Sequence, residues 1–93
     1  MRQVRRIGLW TYPLGSLLQE PVRVETNSRG IPVRFWRQGS LREVTEIQNH
    51  WKEAEWFWGG ITEAEFYRVQ TSANALCELK RQGDDWLLTA LAD

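Results

Sequence analysis

The sequence predicts a mainly β fold: an antiparallel meander of six or seven strands that forms a curled sheet or a small barrel, with at most one or two short helices. Short segments in which apolar and polar residues alternate recur along the chain. Turn-forming stretches rich in Gly, Asn and Asp separate them at hairpin spacing. The 93 residues are enough for one modest core, so we expect a single domain over residues 1–93.

Three strands are predicted in the first 40 residues, separated by loops with Pro or Gly. They span residues 3–11, 21–26 and 31–37. Leu17 and Leu18 are predicted to lie in a short helical turn that covers one end of the core. The turn at residues 27–30 should join the second and third strands as a hairpin, because Asn and Gly both accept left-handed backbone. Pro32 lacks an N–H group, so it should lie at a sheet edge or a bulge.

Residues 41–55 fit two different structures. Five apolar residues have the spacing of a helical stripe: Leu41, Val44, Ile47, Trp51 and Ala54. The β-branched residues and the tight turn at Gly39 favour a strand instead. We expect a strand as far as about Gln48 and then a turn or a single helical turn at residues 49–55. An amphipathic helix over the whole segment is the alternative.

The second half continues with short strands and tight turns. Trp56 to Trp58 should begin a strand that Gly59 and Gly60 end. Further strands are predicted at residues 64–71, 75–81 and 86–91. Turn-forming residues between them should complete the antiparallel meander as a series of hairpins.

The net charge of zero conceals a division between the two halves of the chain. Residues 1–42 hold eight arginines against two glutamates, a formal charge of +6, and residues 43–93 hold four basic residues against ten acids, a formal charge of −6. Two interpretations stay open: the halves neutralise each other across neighbouring strands, or a basic face binds an acidic partner or a phosphate backbone. Ten arginines against two lysines favour bidentate or stacking contacts.

The sequence indicates neither a membrane segment nor secretion. No apolar run approaches the roughly 18 residues that a spanning helix needs, and no signal-peptide core follows the basic N-terminus. Cys77 is the only cysteine, so no internal disulfide can form. We therefore expect a protein of a reducing compartment, the cytoplasm.

Residues suited to catalysis or metal binding are scarce. His50 is the only histidine and Cys77 the only cysteine, which is too few soft ligands for a zinc site. His50 is predicted to be a surface or turn residue. Cys77 lies between Ala75 and Leu79 in an apolar strand face, so it is predicted to be a small core residue.

Two pairs of glutamates have members two residues apart: Glu53 with Glu55, and Glu63 with Glu65. Paired carboxylates divide acid and base roles only where their surroundings separate their pKa values. No sequence pattern indicates such a pocket, so we expect solvated carboxylates or partners for Arg34, Arg37 and Arg42. The protein is predicted not to be an enzyme and to use no metal or cofactor.

Six tryptophans dominate the apolar surface. At roughly 150–250 Å² each they amount to on the order of 1,000 Å², whereas a soluble monomer seldom exposes an apolar patch above roughly 300–600 Å². Most must therefore be buried in a core or an interface. A core position is predicted for Trp56, Trp58 and Trp86.

Trp36 differs from the other tryptophans because it lies between Arg34 and Arg37. In a regular strand it shares a face with Arg34, opposite Phe35. Three roles stay open for this face: packing within the protein, an anchor for a protein partner, or stacking on single-stranded nucleic acid. The candidate interaction residues are Arg34, Trp36, Arg37, Arg42 and Arg68.

Aromatic motifs follow one another in a recognisable order from about residue 20. They are Val33–Arg37 with Gly39, Val44 and Ile47 ahead of Trp51, Glu55–Gly59, Phe66–Val69, Leu76–Leu79 and Trp86–Leu88. This order resembles a bacterial family of small domains encoded with error-prone DNA polymerases. It is also similar to the C-terminal segment of the inactive Y-family polymerase homologue of the mutasome. Residues 1–19 lie outside the resemblance.

The resemblance implies a role in bacterial DNA-damage tolerance, as an accessory module that binds a polymerase-associated protein. It supplies no catalytic residues. The working hypothesis is a non-enzymatic protein-interaction domain in the cytoplasm, with no membrane contact. Direct binding of single-stranded DNA is the alternative.

Overall fold

A computed structural model describes residues 16–92, which form seven antiparallel strands and no helix. The strands are β1 (Ser16–Pro21), β2 (Arg23–Thr26), β3 (Pro32–Arg37), β4 (Ser40–Phe57), β5 (Gly60–Thr71), β6 (Leu76–Gln82) and β7 (Asp85–Ala92). They build a single curled, half-barrel sheet, which confirms the predicted fold class. No helix in this part of the chain is long and apolar enough to cross a bilayer.

The sheet curls because its two edge strands follow each other in the chain. The strand order is β1-β7-β6-β5-β4-β3-β2, so β1 and β2 lie at opposite edges. Only Val22 separates these two strands, and its backbone N–H donates to the carbonyl oxygen of Trp86 at 3.2 Å. Arg37 of β3 also donates from Nε to Glu20 of β1 at 3.0 Å. One residue cannot span a flat seven-stranded sheet, so the edges must approach each other.

The core fills the inner face of the curled sheet. Its buried members come from β3, β5, β6 and β7 and from the turn before β6: Phe35, Tyr67, Val69, Ala75, Cys77, Leu79, Trp86 and Leu88. Partly buried residues of β1, β2 and β4 pack against them, among them Leu18, Val24 and Ile47. The predicted core positions of Cys77 and Trp86 are confirmed.

β4 is one long strand with two bulges. Its pairing with β5 shifts register between Val44 and Glu46 and again between Ile47 and Asn49. The inward residues Val44 and Ile47 consequently lie three positions apart instead of two. The predicted turn or helical turn at residues 49–55 was wrong, as was the helical alternative, because the strand continues to Phe57.

Two other expectations also need correction. Leu17 and Leu18 belong to strand β1 and not to a helical turn. β5 begins at Gly60, four residues before the predicted strand, and Trp56 lies in the last two residues of β4 instead of beginning a strand. The strand predicted at residues 3–11 lies outside the described residues.

The β2–β3 turn forms as its sequence indicates. The Asn27 side-chain oxygen accepts hydrogen bonds from the backbone N–H groups of Arg29 at 2.9 Å and Ile31 at 3.1 Å. Gly30 has a φ of 80°, a conformation that L residues rarely adopt. Pro32 lies at a register shift between β2 and β3, so the predicted bulge is confirmed.

Candidate interaction surface

The β4–β5 hairpin extends past the end of β3, the strand that neighbours β4 on its other side. β3 pairs only with the first four residues of β4, Ser40–Glu43. From Val44 to Phe57, β5 is the only strand that pairs with β4 within residues 16–92. Among the described strands, none lies beside the end of the hairpin on the β3 side to cover its side chains.

Three apolar side chains are exposed at the end of this hairpin, and we call Trp56, Trp58 and Ile61 the hairpin tip. Trp56 and Ile61 are opposite each other in the β4–β5 pairing and are 76% and 57% exposed. Trp58 lies in the two-residue loop between the strands and is fully exposed. Two exposed indoles of roughly 150–250 Å² each amount to about 300–500 Å² of mostly apolar surface, comparable to the largest apolar patch of a typical monomer, which is often functional.

The predicted core positions of Trp56 and Trp58 were wrong. Trp56 lies on the same face of β4 as Val44, Ile47 and His50, which is the face that meets the core. The core ends before this face reaches the tip. Trp58 projects from the loop, where no strand can cover it. Large aromatic side chains are buried on average, but a protein interface can bury them as well as the core of the protein.

The hairpin is strongly acidic. Residues 46–65 hold five glutamates against one lysine, Lys52. Glu46 and Glu63 are exposed, while Glu55 is buried and pairs with Lys80 of β6 at 2.7 Å. Repulsion between these carboxylates and phosphate disfavours nucleic acid or an anionic membrane as the occupant of the tip.

Glu53 and Glu55 are not solvated, contrary to expectation. Both are less than 10% exposed. Glu53 accepts a hydrogen bond from the indole N–H of Trp51 at 3.0 Å, and Glu55 also accepts one from Gln82 at 3.3 Å. These contacts are with Trp51, Gln82 and Lys80 and not with Arg34, Arg37 or Arg42, which the sequence suggested.

A cluster of three polar side chains lies on the hairpin next to the core. His50 Nε2 is 2.6 Å from Glu65 Oε2, and its ring stacks on Tyr67 with centroids 4.2 Å apart. Burial raises the pKa of Glu65, but hydrogen bonds from His50 and Tyr67 outweigh it, so that the pKa lies below its usual value. Burial and the nearby Glu65 carboxylate raise the pKa of Tyr67 to about 12. His50 is an exposed strand residue and is not in a turn.

Arg34 and Trp36 lie on the outer face of the sheet, where neighbouring side chains engage both. Arg34 donates to Glu25 at 2.7 Å and lies 3.5 Å from Glu43. The hydrogen bond to Glu25 is the main cause that raises the pKa of Arg34. The Arg23 guanidinium covers the Trp36 ring at 4.3 Å from its centroid. Trp36 is therefore half-buried and acts here in packing within the protein.

The other candidate arginines lie elsewhere. Arg37 points toward Glu20, and it lines a cavity together with Arg42 of β4. Arg68 lies in β5 between Asn49 of β4 and Glu78 of β6. The five candidate residues therefore form no single face, because Arg34 and Trp36 lie on the outer face whereas Arg37 and Arg42 line the cavity.

The ion pairs also bear on the division of charge along the chain. Arg34 and Glu43 pair across the two halves. The other ion pairs of first-half arginines within residues 16–92 are those of Arg23, Arg34 and Arg37 with Glu25 or Glu20, which belong to the same half. Neutralisation across the halves is thus partial in the described residues. Within residues 16–92 no group of three or more His, Cys, Asp or Glu side chains could hold a metal ion.

Sequence reasoning did not identify the hairpin tip. The available signal was the position of Trp58 next to Gly59, since a two-residue hairpin loop leaves its side chains without strand neighbours. Comparison of the chain with protein-family models, curated proteins and solved structures gives no match. The resemblance to domains encoded with error-prone polymerases therefore stays a prediction.

Proposed function

We propose that the protein is a non-enzymatic interaction domain that binds a protein partner through the hairpin tip. The observation that carries this proposal is the exposure of Trp56, Trp58 and Ile61 at the end of one hairpin. Indole side chains are frequent anchors of protein interfaces, because they bury a large area and lose little side-chain entropy. A monomer gains nothing from holding them in water.

The partner should present an apolar pocket bordered by basic side chains. The pocket accepts the indoles, and the basic border complements the acidic hairpin, on which Glu46 and Glu63 are exposed. The engagement of Arg34 with two glutamates and the covering of Trp36 by Arg23 support a protein partner over single-stranded DNA. The polymerase-associated setting in bacteria rests on the sequence resemblance, and the cytoplasmic location rests on the single cysteine.

The test is affinity capture with the wild-type chain and with a double variant, Trp56→Ala with Trp58→Ala. Leu41→Ala is the matched control, because Leu41 is an exposed apolar residue on another part of the sheet. A captured protein is purified and titrated against all three chains. We expect the double variant to bind at least about 30-fold more weakly, the effect of losing an interface anchor worth about 2 kcal/mol.

The control variant should bind like the wild type, and the association rate should fall as salt rises. Equal affinity for the wild type and the double variant would refute the proposal. Recovery of polymerase subunits would support the setting that the resemblance implies.

A further inference from the structure

A small cavity opens at the end of the half-barrel that lies farthest from the hairpin tip. Its volume is about 80 Å³, and its lining includes Arg37, Arg42 and Thr71 together with apolar core residues such as Phe35 and Cys77. Thr71 ends β5, whereas the hairpin tip lies at the start of that strand. The cavity is therefore independent of the proposed protein-binding surface.

Two guanidinium groups reach this cavity, but only one of them has a carboxylate partner. Arg37 donates from Nε to both oxygens of Glu20, at 3.0 and 3.3 Å. Arg42 makes no ion pair with residues 16–92, and its Nε atom is buried without a hydrogen-bond acceptor there. A buried donor without an acceptor is costly, and the cost is larger when the donor belongs to a charged group. The lining thus has one positive charge in excess.

Thr71 adds a neutral donor to the lining. Its side-chain oxygen accepts hydrogen bonds from the backbone N–H groups of Ala73 at 3.3 Å and Ala75 at 3.4 Å. These bonds fix the hydroxyl at the turn and leave its proton to donate. Among the described residues no acceptor takes this proton. The cavity consequently offers guanidinium and hydroxyl donors, and its size suits a few water molecules or one small anion.

From this arrangement we propose that the cavity is a binding site for a single small oxyanion, a phosphate or carboxylate group. Arg42 supplies the uncompensated charge and an inward Nε–H, Arg37 contributes its terminal nitrogens, and Thr71 donates its hydroxyl proton. Guanidinium groups bind oxyanions through parallel, charge-assisted hydrogen bonds, and a partly enclosed site strengthens them. The small volume limits the ligand to one such group.

The first experiment measures thermal unfolding of the full chain in increasing inorganic phosphate, with sodium chloride added to hold the ionic strength constant. We expect a saturable rise in the melting temperature. At phosphate ten times above its dissociation constant, the unfolding equilibrium should shift about tenfold towards the native state. Acetate in place of phosphate tests the carboxylate form of the ligand in the same way.

Two variants distinguish the cavity from general salt effects. Arg42→Gln should abolish the phosphate-dependent rise. Arg23→Gln should keep it, because Arg23 is an exposed arginine on the outer face. A rise that matches sodium chloride alone, or that persists in Arg42→Gln, would overturn the proposal.

A measurement on the wild type covers the case in which Arg42→Gln does not fold. Phosphate should shift the assigned Nε–Hε NMR signal of Arg42 along a saturable curve. The Arg23 signal should stay in place. An Arg42 signal that does not move with either phosphate or acetate would refute the site.

Discussion

Trp58 and Trp86 represent the two extremes of exposure among the tryptophans of the described sheet. Trp86 is buried against Tyr67, with ring centroids 5.8 Å apart, and Trp58 is fully exposed in a hairpin loop. The same side chain therefore serves stability at one position and is free for an interface at the other.

Truncation of these two residues should have opposite consequences for folding. Trp86→Ala is expected to lower the free energy of unfolding by about 3–5 kcal/mol, because it leaves a cavity in the core. Trp58→Ala should change it by less than about 0.5 kcal/mol. Urea unfolding followed by far-ultraviolet circular dichroism measures both. A loss of several kcal/mol in Trp58→Ala would show that this indole packs within the protein.

Tyr67 should make the protein less stable at alkaline pH. Its pKa is raised to about 12 in the folded state, above the ordinary value of 10. The neutral phenol thus stabilises the fold fully below pH 10, and this contribution is lost as the pH rises through 12. Urea unfolding from pH 8 to 12 should show the loss, and Tyr67→Phe should reduce the slope. A variant with an unchanged slope would contradict this assignment.

β4 illustrates what the sequence could and could not predict about the elements. The hairpins after it follow from turn residues whose local chemistry decides the structure, such as Asn74 and Gly83, which both have positive φ. Within β4 the two bulges place Val44, Ile47 and His50 on one face at intervals of three. Such spacing imitates a helix, and a bulge depends on the partner strand, which no local pattern contains.

The candidate site was predictable only in part for a similar reason. Trp36 was correctly placed on the face of Arg34, because alternation along β3 decides that. The glutamates that pair with Arg34 are Glu25 of β2 and Glu43 of β4, and the strand register places them beside it. The exposure of Trp56 depends on where β3 stops pairing with β4, which is a property of the sheet and not of either strand.

The hairpin loop should depend on Gly60. This residue has a φ of 132°, which L side chains rarely adopt, although no atom lies within 4 Å of the position that a Cβ would take. Gly60→Ala should therefore cost about 1–3 kcal/mol through backbone strain alone. Gly59→Ala is the control, since Gly59 does not have a positive φ. Urea unfolding of both variants measures the difference, and equal stabilities would contradict it.

The outer face of β2 and β3 should not bind single-stranded DNA. The arginines there are occupied by Glu25, Glu43 and the ring of Trp36. Labelled oligonucleotides should show no anisotropy change with the wild type at low salt. Binding at low salt that weakens as salt rises, and that Trp36→Ala reduces by about 1–3 kcal/mol, would instead support the nucleic-acid alternative.

At the scale of the whole molecule, the described sheet pairs its first strand in the chain with its last. β1 pairs with β7, so that Ser16 lies opposite Leu91, and the sheet cannot close until nearly all of the described chain has been ordered. Five of the six strand pairings in the described sheet join consecutive strands, so only the β1–β7 pairing closes a long loop. The entropy of closing that loop is lost before its contacts stabilise the fold, which slows folding.

Refolding should therefore take milliseconds to seconds, the range of β proteins with many long-range contacts. Stopped-flow dilution from urea, followed by tryptophan fluorescence, measures the rate. Glu20→Gln should mainly accelerate unfolding if the contact between Glu20 and Arg37 forms after the transition state. Refolding within microseconds would indicate that local hairpins, and not the pairing of β1 with β7, limit the rate.

The pairing of Ser16 with Leu91 also affects how this domain can be combined with other proteins. Opposed residues of antiparallel strands have Cα atoms about 4.5–5.5 Å apart, so the first and last described strands have their outer ends side by side. A unit with adjacent ends can be inserted into a surface loop of a host protein without separating the two sides of that loop. A circular permutant that keeps residues 1–15 between the joined ends and opens the chain at the Gln38–Gly39 turn would leave every described strand uncut.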